Sequence, residues 1–337
     1  MMLRDVPPLL CSTNFPIGFG TFSVFMTLQV LYGVVLSESK FKQIEMLHDL
    51  QSPNIISVMT DSLYLTEKMV DYAKHSAATK GFKWNIFLKL DSGTKRAGFD
   101  ITDSRTPEQR KELLKTVELI TANPEYCSLH GVYQYSNECY TIGVEEIKQI
   151  FEAERQLLIK SLDEIRGECG VEIPIVSSGS TPACLCVDNF EGITEIHPGN
   201  YVFYDMMQYE FGVVDDLDSI PISVMSRIIG RYPHRNELLI DCGSIGLSLD
   251  RNVDGNIGYG AIVDHPNLKV FKLSQEVGKI TTPDGSPIAF EDERLQYGSV
   301  LRLLPHHSCL MAAQYPFYYM VNDKEKVLDV YHKVGAW

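Results

Sequence analysis

Apolar residues along the chain follow two different patterns, and the change between them divides the sequence near residue 200. Before that point, short β-branched apolar runs alternate with stretches in which apolar residues recur every three or four positions. This alternation predicts strands and amphipathic helices in turn, and therefore a parallel sheet that is open or closed into a barrel. After that point helical periodicity is scarce, and short strands separated by Gly and Asp turns predict an all-β domain.

Several of the predicted elements carry boundary signals of their own. Thr106, Pro107 and Gln109 predict a helix start, because Thr can cap a helix, Pro fits its first turn and Gln can complete a capping box. The same reading of the pattern predicts the strands 55–60, 84–90, 131–135 and 173–177, the helices 67–79 and 144–165, and in the second part the strands 238–241, 269–273 and 300–304.

One segment departs from this regular pattern. Residues 6–36 contain no charged side chain, and the stretch 17–36 is long enough to cross a bilayer. Glycines and Gln29 inside the stretch, and prolines before it, favour a buried barrel strand, with a membrane-inserted or secreted segment as the alternative. We therefore expect no membrane partner.

Composition and charge narrow the class of protein. Hydrophobic residues make up 45% and charged residues 22% of the chain, as in ordinary soluble globular proteins. A formal net charge of −14 without any basic cluster argues against a nucleic-acid partner, because phosphate binding needs a basic patch. Eight cysteines without a CxxC pair indicate a reducing, cytoplasmic compartment.

Two short segments could carry chemistry. In IPIVSSGSTPA (173–183) a strand leads into small polar residues and a helix start, where backbone N–H groups and hydroxyls could surround an anion; an ordinary capped turn explains the pattern equally well. In LRLLPHHSC (301–309), His307 and Cys309 would point to the same face if the chain stays extended. Imidazole and thiolate suit zinc, although an isolated HxC pattern is weak by itself.

Taken together, the motifs resemble one family, the eukaryotic zinc-dependent D-serine dehydratases. They occur in the order found in that family: LKLDSGTKRAGF (88–99), GVYQYSNECY (131–140), SSGSTP (177–182), PGNYVFYD (198–205), DCGSIGLSLD (241–250), LSQEVG (273–278) and LPHHSC (304–309). The resemblance implies an α/β fold: a (β/α)8 TIM-type barrel that binds pyridoxal phosphate (PLP), followed by an all-β domain. We assign residues 30–200 to the barrel and 201–337 to the β domain with the zinc site.

The resemblance also implies the cofactors, the substrate and the residues that bind them. PLP and zinc would serve a lyase that converts D-serine, a small-molecule substrate, into pyruvate and ammonia, in a protein that forms a homodimer. Carried over by motif, Tyr133 and Tyr140 would contact PLP, Ser180, Thr181, Gly199 and Asn200 would bind its phosphate, and His307 and Cys309 would hold zinc.

The chain departs from the family pattern in one essential place. The family's Arg-Pro-His-x-Lys strand, whose lysine forms the Schiff base, has no counterpart, so no catalytic residue is assigned. Residues 1–29 form an atypical segment, and we expect a barrel that is incomplete at its N-terminal strands, as from a gene model begun too late. Lys40, Lys89 and Lys95 lie nearest to the barrel motifs, but none matches the Schiff-base position. Two alternatives follow: a non-catalytic or truncated paralogue, and a lyase similar to D-threonine aldolase.

Overall fold

The computed structural model describes residues 30–50, 56–80, 82–251, 258–322, 324 and 326–333. The chain divides into two compact units, Met1–Gly199 and Asn200–Trp337. Residues 17–29 of the long uncharged stretch lie outside the described residues. In the part of the chain that is described, no helix combines the length and the apolarity that a bilayer crossing requires.

The first unit is built on a parallel sheet, as the alternating pattern predicts. Its strands are β1 (Val30–Val35), β2 (Ile56–Thr60), β3 (Trp84–Asp91), β4 (Phe99–Asp100), β5 (Cys127–Tyr135) and β6 (Ile175–Gly179). They are arranged in the order β1-β2-β3-β5-β6, with β4 beside β3. The helices of this unit are α1 (Phe41–Leu50), α2 (Leu63–Lys80), α3 (Pro107–Thr121), α4 (Val144–Cys169) and α5 (Thr181–Cys186).

Successive side chains along the strands point to opposite faces of the sheet, and both faces are packed. One face packs against the helices and forms the larger core, which includes Ile86, Leu88, Leu90, Val132 and Val176 from the sheet and Met69, Leu113, Val117 and Leu158 from the helices. The opposite face carries a smaller buried cluster of Leu31, Met59, Phe87 and Tyr133. Gly131 lies beside this cluster. A Cβ at this position would stand 2.5 Å from the Phe87 ring, so a larger residue would clash with it.

Local signals in the sequence predict the start of α3 correctly, whereas the predicted end of α4 comes too early. The capping box is present at α3: Thr106 Oγ1 accepts from the Gln109 N–H at 3.3 Å, and Gln109 Oε1 accepts from the Thr106 N–H at 2.7 Å. The predicted end of α4 at residue 165 is wrong, because the helix continues to Cys169 and ends where Gly170 takes the left-handed φ of 66°. A left-handed glycine is a common helix terminator, so this signal was present in the sequence.

The second unit contains a closed six-stranded barrel with the strand order β10-β11-β8-β7-β12-β9. Its strands are β7 (Val224–Tyr232), β8 (Glu237–Ile240), β9 (Gly260–Ile262), β10 (Lys269–Leu273), β11 (Gly278–Thr281) and β12 (Val300–Pro305). The unit also has α6 (Met206–Glu210), α7 (Ser244–Leu247), α8 (Ser308–Ala313) and a hairpin of β13 (Phe317–Val321) and β14 (Val327–His332). The β character of this part is confirmed, whereas the short helices were not expected.

A buried carboxylate joins α1 to α2 in the first unit. Glu45 is 4% exposed and accepts hydrogen bonds from Ser76 Oγ, from Tyr72 Oη at 2.7 Å and from Lys42 Nζ at 3.0 Å. Burial opposes the charged form, but these three donors outweigh it and lower the pKa of Glu45 from 4.5 to about 2. Because the folded pKa is depressed, the stabilisation is present above pH 4.5 and is lost as the pH falls towards 2.

We predict that Glu45→Gln lowers the free energy of unfolding by about 1–3 kcal/mol at neutral pH, because a hydrogen-bonded charge is removed from a buried position. The difference from the parent protein should shrink as the pH falls below 4.5. Urea unfolding at several pH values measures both effects. Glu67→Gln, a change at an exposed position on α2, serves as the control. If both variants lost the same free energy of unfolding at every pH, the stabilising role of the Glu45 charge would be contradicted.

Candidate functional site

The register of the parallel strands sets three chemically distinct residues side by side near the carboxyl ends of β3, β5 and β6. Lys89 pairs with Tyr133, and Tyr133 pairs with Ser177. In neighbouring parallel strands, paired residues project from the same face of the sheet. A cation, an aromatic ring and a hydroxyl therefore share the face opposite the helices, at the end of the sheet where α/β enzymes place their active sites.

Lys89 lies close to the aromatic rings of β5. Its Nζ is 4.2 Å from the centroid of the Tyr133 ring and 5.8 Å from that of Tyr135, and the Arg96 guanidinium is 5.5 Å from the Tyr135 ring. Burial, and then repulsion from Arg96, lower the pKa of Lys89 to about 8. A lysine in this state is a better nucleophile and proton acceptor at neutral pH than an exposed one.

His197 completes this cluster, although the sequence analysis did not select it. Its ring stacks on Tyr133 with 4.2 Å between the centroids and 14° between the planes. Its Nε2 is 3.1 Å from the Gln134 carbonyl, which can only accept, so Nε2 carries the proton and Nδ1 accepts from the Tyr133 hydroxyl at 3.3 Å. Burial, followed by repulsion from Lys89, lowers the pKa of His197 to about 4, so the imidazole is neutral at physiological pH.

Tyr133 is thereby fixed in one orientation. Its ring is 9% exposed, and burial raises the pKa of its hydroxyl, which stays protonated and donates to His197. Tyr140, the second tyrosine predicted to contact PLP, is half-buried, and its ring centroid is 6.4 Å from that of Tyr135. The structure thus places both predicted tyrosines at the same end of β5.

The segment after β6 forms the predicted strand-to-helix turn. Ser180 caps α5, since its Oγ accepts from the Ala183 N–H at 3.4 Å, and Thr181 begins the helix with no exposed surface. Gly179 has φ 153°, and a Cβ there would meet Cys184 Sγ at 2.7 Å, so this position requires glycine. The capped turn is present, and phosphate binding by Ser180 and Thr181 stays a prediction.

In the second unit, the condition set for the two metal residues is not met. The backbone is extended at His307 but not at Cys309, because α8 begins at Ser308. The two side chains nevertheless approach each other by forming a hydrogen bond. Burial lowers the pKa of His307, but hydrogen bonds to Cys309 and Asp250 outweigh it and raise the pKa to about 9.

The donor set around His307 fits a metal with open coordination positions. Asp250 Oδ2 lies 2.6 Å from His307 Nδ1, so this nitrogen carries the proton and Nε2 is left for a metal. Within the described residues, no group of three or more His, Cys, Asp and Glu side chains could hold a metal ion. A metal ion held by two protein ligands alone would keep positions for water and substrate.

Asn200 belongs to a buried hydrogen-bonded ring that the sequence analysis missed. Asp205 accepts from Asn200 Nδ2 at 2.6 Å and from the Ser308 N–H at 2.8 Å, and Ser308 Oγ donates to Asn200 Oδ1 at 2.6 Å. Asn200, a predicted phosphate residue, is thus linked to the residue between the two predicted zinc ligands. Gly199 precedes it, and its Cβ position is open.

The depressed pKa of Lys89 gives a prediction for stability. Because the folded pKa lies below the ordinary value of 10.5, the buried charge destabilises the fold below pH 8, and this cost disappears as the pH rises to 10.5. We expect Lys89→Met to raise the free energy of unfolding by about 1–3 kcal/mol at neutral pH. Denaturant titrations measure this gain, which should shrink at alkaline pH.

Lys115→Met, at an exposed position on α3, is the matched control and should change stability by less than about 0.5 kcal/mol. If Lys89→Met destabilised the protein at neutral pH, the proposed burial of an ammonium group beside Tyr133 would be refuted.

Comparison with known proteins identifies the family to which this chain belongs. A family model described as "Putative serine dehydratase domain" matches residues 222–321. A D-serine dehydratase of Dictyostelium discoideum is 33% identical over 329 residues, covering 91% of this chain and 78% of that protein. A D-serine dehydratase of Saccharomyces cerevisiae is 28% identical, with coverage of 84% and 69%. D-threo-3-hydroxyaspartate dehydratase of Delftia sp. is 27% identical, with coverage of 92% and 80%.

Solved structures show the same fold. The structure of the Delftia dehydratase superposes with a TM-score of 0.79 at 24% identity, covering 91% of this chain and 79% of that one. An alanine-racemase-like protein from Idiomarina loihiensis gives a TM-score of 0.74 at 26% identity, with coverage of 91% and 78%. The fold is therefore alanine-racemase-like, with a parallel α/β sheet that is left open within the described residues and a β domain after it. The chain belongs to the eukaryotic D-serine dehydratase family of lyases.

Proposed function

We propose that this protein dehydrates D-serine to pyruvate and ammonia with PLP and zinc as cofactors. The observation that carries the proposal is the 33% identity to a D-serine dehydratase over 91% of the chain. The formal charge of −14 agrees with a small-molecule substrate and gives no support to a nucleic-acid partner. A homodimer and a cytoplasmic location remain expectations from the sequence.

The residues of the first unit suit a planar, phosphorylated cofactor. Bound PLP supplies an electron sink for the charge that develops at the substrate α-carbon. Tyr133 and Tyr140 would contact its ring, and the Tyr133 ring is held for this role by His197. Gly179 allows the turn before Ser180 and Thr181 to form. These two residues would bind the phosphate, as would the backbone of Gly199 and Asn200.

Two basic side chains give this site a positive character. Lys89 and Arg96 both lie near the Tyr135 ring. Their charges would attract the carboxylate of a D-amino acid or the anionic groups of PLP. His197 is neutral, so it would orient Tyr133 through its accepting nitrogen without adding a third charge.

The second unit offers ligands suited to zinc. His307 Nε2 and the Cys309 thiolate would bind the ion, and Asp250 would fix the orientation of the imidazole. Bound zinc supplies Lewis-acid catalysis that makes the β-hydroxyl of the substrate a better leaving group. Among the solved relatives is a cysteine-to-alanine variant of D-threo-3-hydroxyaspartate dehydratase in the metal-free form, which supports the choice of a metal-dependent reaction.

Product analysis tests the reaction. Purified protein supplied with PLP and zinc should release pyruvate and ammonia in equal amounts from D-serine. Oxaloacetate from D-threo-3-hydroxyaspartate would identify the reaction of the Delftia relative instead, and glycine with acetaldehyde from D-threonine would identify an aldolase. The absence of product from all three substrates would refute the proposal and favour a non-catalytic paralogue.

A separate measurement decides whether a lysine of this chain binds PLP covalently. Borohydride reduction of the protein with PLP, followed by peptide mapping, should yield one modified lysine if a residue of this chain serves in place of the missing Schiff-base lysine. If no modified peptide is recovered while non-covalent PLP binding persists, this chain holds the cofactor without bonding to it, and turnover is not expected.

We predict that His307→Ala and Cys309→Ala each lower kcat/KM for D-serine by about 10²-fold or more, because a Lewis acid contributes several kcal/mol to such a step. Metal analysis should show zinc lost in both variants. His332→Ala, which changes an exposed histidine of the β13–β14 hairpin, is the matched control. Full activity in the two metal-site variants would exclude zinc from the reaction.

A further inference from the structure

A fully buried carboxylate lies at the centre of the second unit's predicted site. Asp205 has no exposed surface. Its Oδ1 accepts from the Gln208 N–H at 3.0 Å, which caps α6. Its Oδ2 accepts from Asn200 Nδ2 at 2.6 Å and from the Ser308 N–H at 2.8 Å. Three segments of the chain therefore converge on a single side chain.

Capping α6 explains only half of these contacts. A helix cap needs one oxygen, which Gln208 uses, and an exposed Asn or Ser would serve equally well. Burying a carboxylate costs several kcal/mol unless its oxygens are fully hydrogen-bonded. The second oxygen is committed to Asn200 and Ser308, so the buried charge holds these two residues together.

Ser308 closes the arrangement into a ring. Its Oγ donates to Asn200 Oδ1 at 2.6 Å while its N–H donates to Asp205. Ser308 has no exposed surface and Asn200 is 5% exposed, so water does not compete for these bonds. Ser308 stands between His307 and Cys309, and fixing its backbone fixes the turn from β12 into α8 that presents both side chains.

We infer that Asp205 is a positioning residue that holds the predicted phosphate contact Asn200 and the predicted zinc pair His307 and Cys309 in one fixed geometry. The inference rests on the proposed function, because the ring of Asp205, Asn200 and Ser308 can position ligands only if the predicted residues bind cofactor and metal. Asp205 touches neither ligand in this role and acts through Asn200 and Ser308.

Cobalt binding to Asp205→Asn tests the inference. Asn is nearly isosteric, but its NH₂ group must face either the Asn200 and Ser308 donors, which opens the ring, or the Gln208 N–H, which removes the cap of α6. We expect the affinity for Co²⁺ to fall about 10- to 100-fold, the usual result of losing a group that orients metal ligands. The cobalt–thiolate absorption of the loaded protein should change, and equilibrium dialysis should show weaker PLP binding.

The matched control is Asp216→Asn. Asp216 also caps a short helix of the second unit, accepting from the Asp218 N–H at 3.0 Å, in an exposed setting. This variant should keep the parent affinities for Co²⁺ and PLP. If Asp205→Asn and Asn200→Ala both lower the melting temperature while Co²⁺ affinity and the thiolate band stay unchanged, the ring is merely structural and the inference is overturned.

Asn200→Ala decides the question if Asp205→Asn does not fold. It removes one donor to Asp205 and the acceptor of Ser308 Oγ but leaves the carboxylate in place. A several-fold loss of Co²⁺ affinity would support the ring, because Asn200 is not a metal ligand, and an unchanged affinity would overturn it. Parent protein that binds neither Co²⁺ nor PLP would instead refute the proposed function, and this inference with it.

Discussion

The parallel register of β3, β5 and β6 is the constraint on which the first unit's site depends. It aligns Lys89, Tyr133 and Ser177 in one row on the face opposite the helices. Because side chains alternate along a strand, a shift of one strand by one residue would turn its member of this row towards the helices. The large apolar core on the helix-facing side opposes such a shift, so packing on one face fixes chemistry on the other.

Sequence reasoning succeeds where the determinants are local. The capping box of α3 and the alternation of strands and helices depend on residues a few positions apart, and the structure confirms both. His197 was missed because its significance comes from stacking on Tyr133, 64 positions away. The condition of an extended chain as far as Cys309 fails for a similar reason, since Ser308 enters a helix whose first N–H bonds to Asp205, 103 positions away. Tertiary contacts decide these cases, and no pattern in a single sequence records them.

The two units control protonation in opposite ways. In the first, burial holds the pKa of His197 near 4 and lowers that of Lys89 to about 8, so burial disfavours the protonated form of both side chains. In the second, hydrogen bonds to Cys309 and Asp250 raise the pKa of His307 to about 9 despite its burial. The first environment suits an aromatic cofactor with its own charges, and the second suits the binding of a cation in place of a proton.

Both units contain buried polar groups that folding alone does not require. An apolar side chain at Lys89 would avoid the cost of desolvating an amine, and an exposed cap at α6 would avoid burying Asp205. Natural sequences depart from local stability rules mainly at functional sites. Lys89 lies beside the predicted cofactor residue Tyr133, and Asp205 is bonded to the predicted phosphate residue Asn200 and to Ser308. Each departure is therefore in contact with a residue that was selected for function, and packing alone does not explain this.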